Sequence, residues 1–216
     1  MNLDDTLQLV AKGGPSAIDF GTLRTVAGLL LRERGAQLLC MQHPLGFYLV
    51  SLLRQGPVAL RLHYWPARHR PPSSAITPYH DHVWTLQSRI LIGHIENVEL
   101  SLKPDPTGEY VVATIEQVNG VDTVVPTGER VAIETTKNLI QSAGQSYSIS
   151  PKIFHCTNVS LDVAAVTVVR AEVVVPGGPR TLVPVGYSGQ APSRTYLSSS
   201  DAQRVLQELD RLLLES

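Results

Sequence analysis

The chain has 216 residues, of which 43% are hydrophobic, and its formal net charge at pH 7 is −1. This length and apolar content suffice for a domain with a sizeable core. The near-neutral charge argues against a nucleic-acid or membrane-surface role, because such proteins carry a basic excess that neutralises phosphates or anionic lipids. The two cysteines, Cys40 and Cys156, are too few for a disulfide framework.

The N-terminal stretch MNLDDTLQLV lacks a basic segment followed by an apolar run, which predicts no secretory signal. No stretch approaches the ~18 consecutive apolar residues typical of a membrane span. We therefore expect a cytoplasmic protein that binds neither nucleic acid nor a membrane.

Helical patterns lie at both ends of the chain. Residues 3–11 form a short candidate helix, and residues 15–35 form a stronger one that Ser16 can cap and Gly35 can end. A final helix is predicted over residues 200–215, where leucines and a valine form an apolar stripe. We interpret all three as helices that pack against the rest of the domain.

Between these helices the hydrophobic period changes to that of β-strands, and turn sequences such as Asn119-Gly120 separate many short apolar segments. The predicted strands cover 46–53, 58–65, 79–86, 88–92, 95–102, 109–118, 121–126, 129–134, 146–150, 154–159 and 162–175. Residues 176–198, rich in Pro, Gly and Ser, are predicted as a surface loop. Many short strands at near-regular spacing indicate a sandwich or barrel rather than βαβ units.

The segment Pro78-Tyr79-His80-Asp81-His82 gives the clearest chemical indication in the sequence. Residues two apart on a strand project from the same face, so His80 and His82 are predicted to aim at one point. A His-x-His pair alone indicates a metal site only weakly, and a pair of exposed loop histidines is the alternative interpretation. A later strand, after the turn at Gly144, presents His155 and would complete a three-ligand set.

Together these segments resemble the paired motifs of the cupin superfamily. His80, His82 and the correctly spaced Gly93 match the first motif, and His155 matches the histidine of the second. The acidic ligand that normally follows the second histidine by four residues is replaced by Leu86, so three histidines remain. The resemblance implies an all-β core, a cupin (jelly-roll) β-barrel, with N-terminal helices and a C-terminal helix.

We predict a single cupin domain over residues 1–216. Within it, residues 1–36 would hold the N-terminal helices, residues 45–175 the barrel and residues 200–215 the C-terminal helix. The resemblance leaves a homodimer open, because cupins often pair barrels across edge strands.

The three-histidine set resembles that of the cysteine dioxygenase-type thiol dioxygenases. The segment Tyr48-Leu-Val-Ser-Leu-Leu-Arg-Gln-Gly56, Trp65 and the run Asn158-Val159-Ser160 match that family, and the likeness covers roughly residues 45–172. It implies Fe(II) on the three histidines, with Zn, Ni or Mn able to occupy the site in purified protein. It also implies a small-molecule substrate that chelates the metal and reacts with O₂.

The family residues that recognise free cysteine are absent. The position of the carboxylate-binding arginine is Val50, and the cross-linking cysteine would fall at Leu86 or Gln87. The tyrosine of the cross-link and a nearby histidine fall at Ala171 and Val169. We therefore expect a substrate other than free cysteine.

Strand alternation supplies candidates for substrate contacts. If Trp65 faces the cavity, Arg61 and His63 on the same strand face it too. Arg61 could then bind a carboxylate or phosphate bidentately, whereas a solvent-facing Arg61 is the alternative. His63 is a catalytic candidate or a hydrogen-bonded core group. Tyr48 is predicted to donate a hydrogen bond to substrate or dioxygen, with a core aromatic as the alternative.

The predicted pocket wall consists of apolar and aromatic side chains, and the remaining histidines carry no spacing pattern and are expected in solvent. The wall residues are Trp65, Trp84, Leu86 and Val169, and the solvated histidines are His43, His69 and His94.

These features favour a non-haem iron-dependent oxygenase, cysteine dioxygenase-like in its metal site. One alternative keeps the metal as a Lewis acid in a cupin isomerase, lyase or hydrolase. Another is a non-catalytic cupin that binds a small molecule or serves a structural role.

Overall fold

The computed structural model describes residues 2–118, 121–187 and 194–215. Within them, the helices are α1 (Leu3–Gly13), α2 (Phe20–Arg34) and α3 (Ser199–Glu215). The strands are β1 (Leu39–His43), β2 (Phe47–Gln55), β3 (Val58–Trp65), β4 (Trp84–Ile92), β5 (His94–Pro104), β6 (Tyr110–Val118), β7 (Val121–Ser142), β8 (Ser146–Ile149), β9 (Phe154–Asn158), β10 (Ala165–Val173), β11 (Arg180–Pro184) and β12 (Thr195–Tyr196).

The strands form two antiparallel sheets. The larger has the order β12-β1-β2-β3-β10-β4-β8, and the smaller has the order β11-β6-β7-β5-β9. The predicted all-β core with helices at both ends is confirmed. Among the described residues no strand of one sheet pairs with a strand of the other, so the core is a two-sheet sandwich and not a barrel closed by hydrogen bonds.

The three helices cover the outer face of the seven-stranded sheet. Alternate residues of a strand share a face, so Leu60, Leu62 and Tyr64 of β3 are all buried in one apolar cluster with residues of the helices. Leu30 of α2 and Leu209 of α3 are buried in the same cluster. Full burial of each such side chain stabilises the fold by roughly 1.5–3 kcal/mol.

The helix α2 begins later than predicted. Residues 15–17 form a separate turn of 3-10 helix, and the side chain of Asp19 accepts a hydrogen bond of 2.8 Å from the backbone N–H of Thr22. This is the N-cap contact, so Asp19 and not Ser16 caps the helix.

The segment that carries the two paired histidines is not a strand. β4 begins only at Trp84, whereas the sequence predicted a strand from residue 79. His80 instead makes isolated backbone bridges to His155 of β9 and to Thr181 of β11. These are the two edge strands of the five-stranded sheet, so the segment lies between them and is hydrogen-bonded to both.

Three further parts of the sheets differ from the predicted pattern. β1 was not predicted, and β11 and β12 lie within the predicted loop at 176–198. β7 is continuous where two strands were predicted, because its first half pairs with β6 and its second half with β5. Gly128, in the predicted turn between those two strands, has a φ of 83° and lies inside this long strand. The predicted turn Asn119-Gly120 lies outside the described residues.

None of the helices described is long and apolar enough to span a bilayer. The cytoplasmic location and the single-domain assignment stay predictions.

Candidate metal centre

Three histidines converge between the two sheets. One potential ligand atom each of His80, His82 and His155 lies within 4.8 Å of the others. The ring centroids are 5.0 Å apart for His80 and His82, 4.4 Å for His80 and His155, and 4.6 Å for His82 and His155. The rings of His82 and His155 are buried. The predicted ligand set is therefore brought together, although the first two histidines do not lie on a common strand.

Backbone carbonyls orient two of the three imidazoles. Nδ1 of His80 lies 3.0 Å from the carbonyl oxygen of Pro78, and Nδ1 of His155 lies 3.0 Å from that of Ile153. A carbonyl only accepts, so each Nδ1 carries the proton and each Nε2 keeps a free lone pair. The Nδ1 atom of His82 is buried without a partner in the structure. A metal ion fits this arrangement of free imidazole lone pairs.

Burial keeps the three imidazoles neutral. It lowers the pKa of His155 to about 3, helped by the nearby His80. Burial also lowers the pKa of His80, against smaller opposing effects of the Pro78 carbonyl and then Asp81, and it lowers the pKa of His82 well below the usual value. Neutral imidazole is the form that binds metals, so all three residues are ready to coordinate at neutral pH.

Asp81 lies between His80 and His82 in the sequence, but its carboxylate is bonded to Arg180. It is fully buried, and its Oδ1 accepts the backbone N–H of Arg180 at 2.7 Å. Its Oδ2 accepts the Nε–H at 2.7 Å and an Nη2–H at 2.6 Å. The carboxylate thereby holds the segment with His80 and His82 to β11, and the candidate ligands are the three neutral histidines.

A cavity of about 200 Å³ adjoins the three histidines. Six of the residues predicted for catalysis or substrate contact line it: Arg61, His63, Trp65, Trp84, Leu86 and Val169. All six lie on the seven-stranded sheet, on the face opposite the helices. Residues of the five-stranded sheet, including Ile115, Val124 and Thr157, line the other side. The cavity therefore lies between the sheets, with a mainly apolar wall.

The structure removes Tyr48 from the candidate site. Its backbone partner across the strands is Tyr64, and the two ring centroids are 6.3 Å apart within the helix-covered cluster. Cross-strand partners share a face of the sheet. Phe47 and Leu49, the two neighbours of Tyr48, line the cavity instead. Tyr48 is thus a packing residue of the helix side.

Two basic residues of the cavity wall were missed. His43 was expected in solvent, but it lines the cavity, and its ring stacks on that of Phe47 with centroids 4.3 Å apart. Arg194 also lines the cavity, although it lies in the predicted surface loop. Local sequence does not reveal either position, because both depend on the pairing of β1 with β2 and with β12.

No protein-family model and no curated protein sequence matches the chain. Solved structures to which it is similar include a hydroquinone 1,2-dioxygenase, PnpCD, at 10% identity and a TM-score of 0.35, with 56% of this chain and 61% of that chain covered. The DMSP lyase DddQ from Ruegeria pomeroyi aligns at 15% identity and a TM-score of 0.35, with coverage of 67% and 54%.

A cupin domain from Schizosaccharomyces pombe aligns at 10% identity and a TM-score of 0.32, with coverage of 59% of this chain and 61% of that chain. This chain thus spans less than two thirds of the length of each of these three structures. Likeness at this level is too low to carry a function from any of them to this chain.

Proposed function

We propose that this chain is a non-haem Fe(II)-dependent oxygenase that binds its metal on His80, His82 and His155 and oxidises a small molecule with O₂. The observation that carries the proposal is the convergence of three neutral imidazoles, with ligand atoms within 4.8 Å, on the wall of a cavity. Imidazole nitrogens suit first-row metals such as iron and zinc. Bound there, Fe(II) would supply the one-electron chemistry that reaction with O₂ requires.

The remaining wall residues would bind and orient the substrate. Trp65, Trp84, Leu86 and Val169 surround the histidines with apolar surface, which excludes water and fixes the position of a bound molecule. Arg61 and His63 add polar groups to the same wall. A small molecule that also donates a ligand to the metal would fit such a site.

Free cysteine is not the proposed substrate. In the resemblance to thiol dioxygenases, Val50 stands at the position of the carboxylate-binding arginine. Val50 is fully buried in the helix-covered cluster and does not line the cavity. A carboxylate-binding group would therefore have to come from another position of the chain.

The test is anaerobic loading of metal-free protein with Fe(II), followed by oxygen-uptake measurements with a panel of small metal-chelating acids. We expect stoichiometric iron and uptake with at least one candidate. The variant His155→Ala should lose both properties, whereas His94→Ala, which changes an exposed histidine, should keep both.

Each other outcome contradicts part of the proposal. Stoichiometric iron without uptake on any candidate would exclude the oxygenase. Turnover with zinc under nitrogen would assign the site to an isomerase, lyase or hydrolase instead. Equal iron binding by His155→Ala would show that the three histidines are not the ligands.

A further inference from the structure

The cavity wall carries two arginines close to the candidate metal ligands. The guanidinium carbon of Arg61 lies 5.5 Å from the ring centroid of Trp84. The Trp84 ring in turn stacks on His82, with centroids 4.7 Å apart and an angle of 16° between the planes. One indole therefore touches both Arg61 and a metal-binding histidine. Arg194 lines the same cavity, and its positive charge contributes to lowering the pKa of Arg61.

Arg61 is half-buried, whereas Arg194 is exposed where it borders the cavity. Among the described residues, no carboxylate forms an ion pair with Arg61 or Arg194, and Asp81 is the one acidic residue lining the cavity. Asp81 is already bonded to Arg180. Burial, with the charges of Arg194 and Arg54, lowers the pKa of Arg61 to about 10, so the side chain stays charged at neutral pH. A divalent metal on neutral histidines would add further positive charge.

Three other buried or half-buried arginines of this chain donate hydrogen bonds to backbone carbonyls. Arg89 donates to the carbonyl oxygens of Ile18 and Gly144, Arg170 to Ala11, and Arg130 to Gly108. A buried charge without a partner costs several kcal/mol or more unless a ligand compensates it. Arg61 has no such acceptor among the described residues, and it lines the cavity, where a bound anion can pair with it.

His63 adds a neutral polar group beside Arg61. It lies two residues along β3, lines the cavity, and its Nε2 atom is buried without a hydrogen-bond partner. Burial lowers the pKa of His63 to about 3, so this nitrogen is available at neutral pH as an uncharged hydrogen-bonding group. A buried polar atom of this kind is normally satisfied by a ligand or an ordered water.

We propose that Arg61 and Arg194 bind an oxyanion group of the substrate, a carboxylate or a phosphate, while a second donor of the same molecule reaches the metal. That the molecule bound there is the substrate rests on the proposed function. Its class is then a small acid whose anionic group and metal-binding donor lie on either side of Trp84. The cavity of about 200 Å³ is smaller than the ~300–1,000 Å³ of pockets for drug-sized ligands, which restricts the acid to a small molecule.

The tryptophans allow a direct test without metal or oxygen. The chain has two, Trp65 and Trp84, and both line the cavity, so intrinsic fluorescence reports on binding there. Metal-free wild-type protein is titrated at constant ionic strength with inorganic phosphate, with acetate and with glycerol. We expect a saturable fluorescence change with phosphate or acetate and none with glycerol. The tighter of the two anions distinguishes a phosphate-type from a carboxylate-type substrate.

Variants assign the binding to the two arginines. Arg61→Gln and Arg194→Gln should each weaken the affinity for the anion by about tenfold or more, because a hydrogen bond to a charged group contributes roughly 1.5–3 kcal/mol. Arg204→Gln removes the same charge from the exposed surface of α3 and should bind as the wild type does. Circular dichroism checks folding, and Arg61→Lys, which keeps the charge but not the bidentate geometry, replaces Arg61→Gln if that variant unfolds.

The proposal is overturned if no anion produces a saturable change, if the Arg61 and Arg194 variants bind as the wild type does, or if Arg204→Gln weakens binding equally. These titrations contain no iron. Anion binding without oxygen uptake would therefore support the anion subsite and exclude the oxygenase. Oxygen uptake without anion binding would support the oxygenase and exclude the anion subsite.

Discussion

The two faces of the seven-stranded sheet are built from alternate residues of the same strands, yet they have opposite characters. On β3, Leu60 and Leu62 are fully buried beneath the helices, whereas Arg61 and His63, between and beside them, line the cavity. On β10, Val168 belongs to the helix-covered cluster, and the next residue, Val169, lines the cavity. A shift of one residue along a strand therefore exchanges a packing role for a binding role.

The helix face is stabilised mainly by apolar burial and has one buried polar group without a described hydrogen-bond partner, the Tyr64 hydroxyl, whereas the cavity face has several such groups. His63 Nε2 and the hydroxyl of its cross-strand partner Thr167 are buried without hydrogen-bond partners. Each such group costs roughly 1–3 kcal/mol of folding stability. The comparison indicates that one face determines stability and the other determines binding, and three substitutions test that separation.

The largest expected effect is that of Leu62→Ala on stability. Leu62 is fully buried under the helices, so the truncation removes apolar contacts and leaves a cavity. We expect the free energy of unfolding, measured with urea and circular dichroism, to fall by about 2–5 kcal/mol. The folded fraction should bind metal with wild-type affinity.

The matched control is Leu161→Ala, at a leucine that is 65% exposed, which should change stability by less than about 0.5 kcal/mol. A reduced metal affinity in folded Leu62→Ala would contradict the separation of the two faces.

A smaller, mixed effect is expected from Asp81→Asn. An amide can accept at one position only, so it loses one of the two acceptor oxygens that bind Arg180 and places an NH₂ against its donors. We expect a loss of about 1–3 kcal/mol in stability and about 10–100-fold in metal affinity, because this contact orients the segment that carries His80 and His82. Metal titration followed by urea unfolding measures both quantities.

Asp162→Asn, at an exposed aspartate, is the control for the loss of a negative charge and should change neither quantity. If Asp81→Asn lowered stability but left metal affinity unchanged, Asp81 would serve the fold alone and not the position of the ligands.

The smallest effect is expected from Tyr48→Phe. The ring keeps its contact with Tyr64 on the helix face, so the unfolding free energy should change by less than about 1 kcal/mol. Metal affinity, anion affinity and oxygen uptake should equal those of the wild type, since Tyr48 does not line the cavity. A marked loss of oxygen uptake at unchanged stability would show that Tyr48 acts in the candidate site. It would contradict the assignment of Tyr48 to the helix-covered face of the sheet.

The sequence by itself determined the helices at both ends, the strand-rich middle and the three histidines. Helix and strand periods are local, since they depend on side chains a few residues apart. The alternation of Arg61, His63 and Trp65 likewise predicted a shared face, because residues two apart on one strand cannot lie on opposite sides.

Only the tertiary structure decided which face of the seven-stranded sheet lines the cavity and which distant segments of the chain contribute to the cavity wall. Register pairs Tyr48 with Tyr64 and Leu49 with His63, which excludes Tyr48 from the cavity. The segment with His80 and His82 lies between the edge strands of the five-stranded sheet and not within a strand of its own. His43 and Arg194 reach the cavity through β1 and the chain next to β12. Such positions depend on pairings across long sequence separations, which no local pattern encodes.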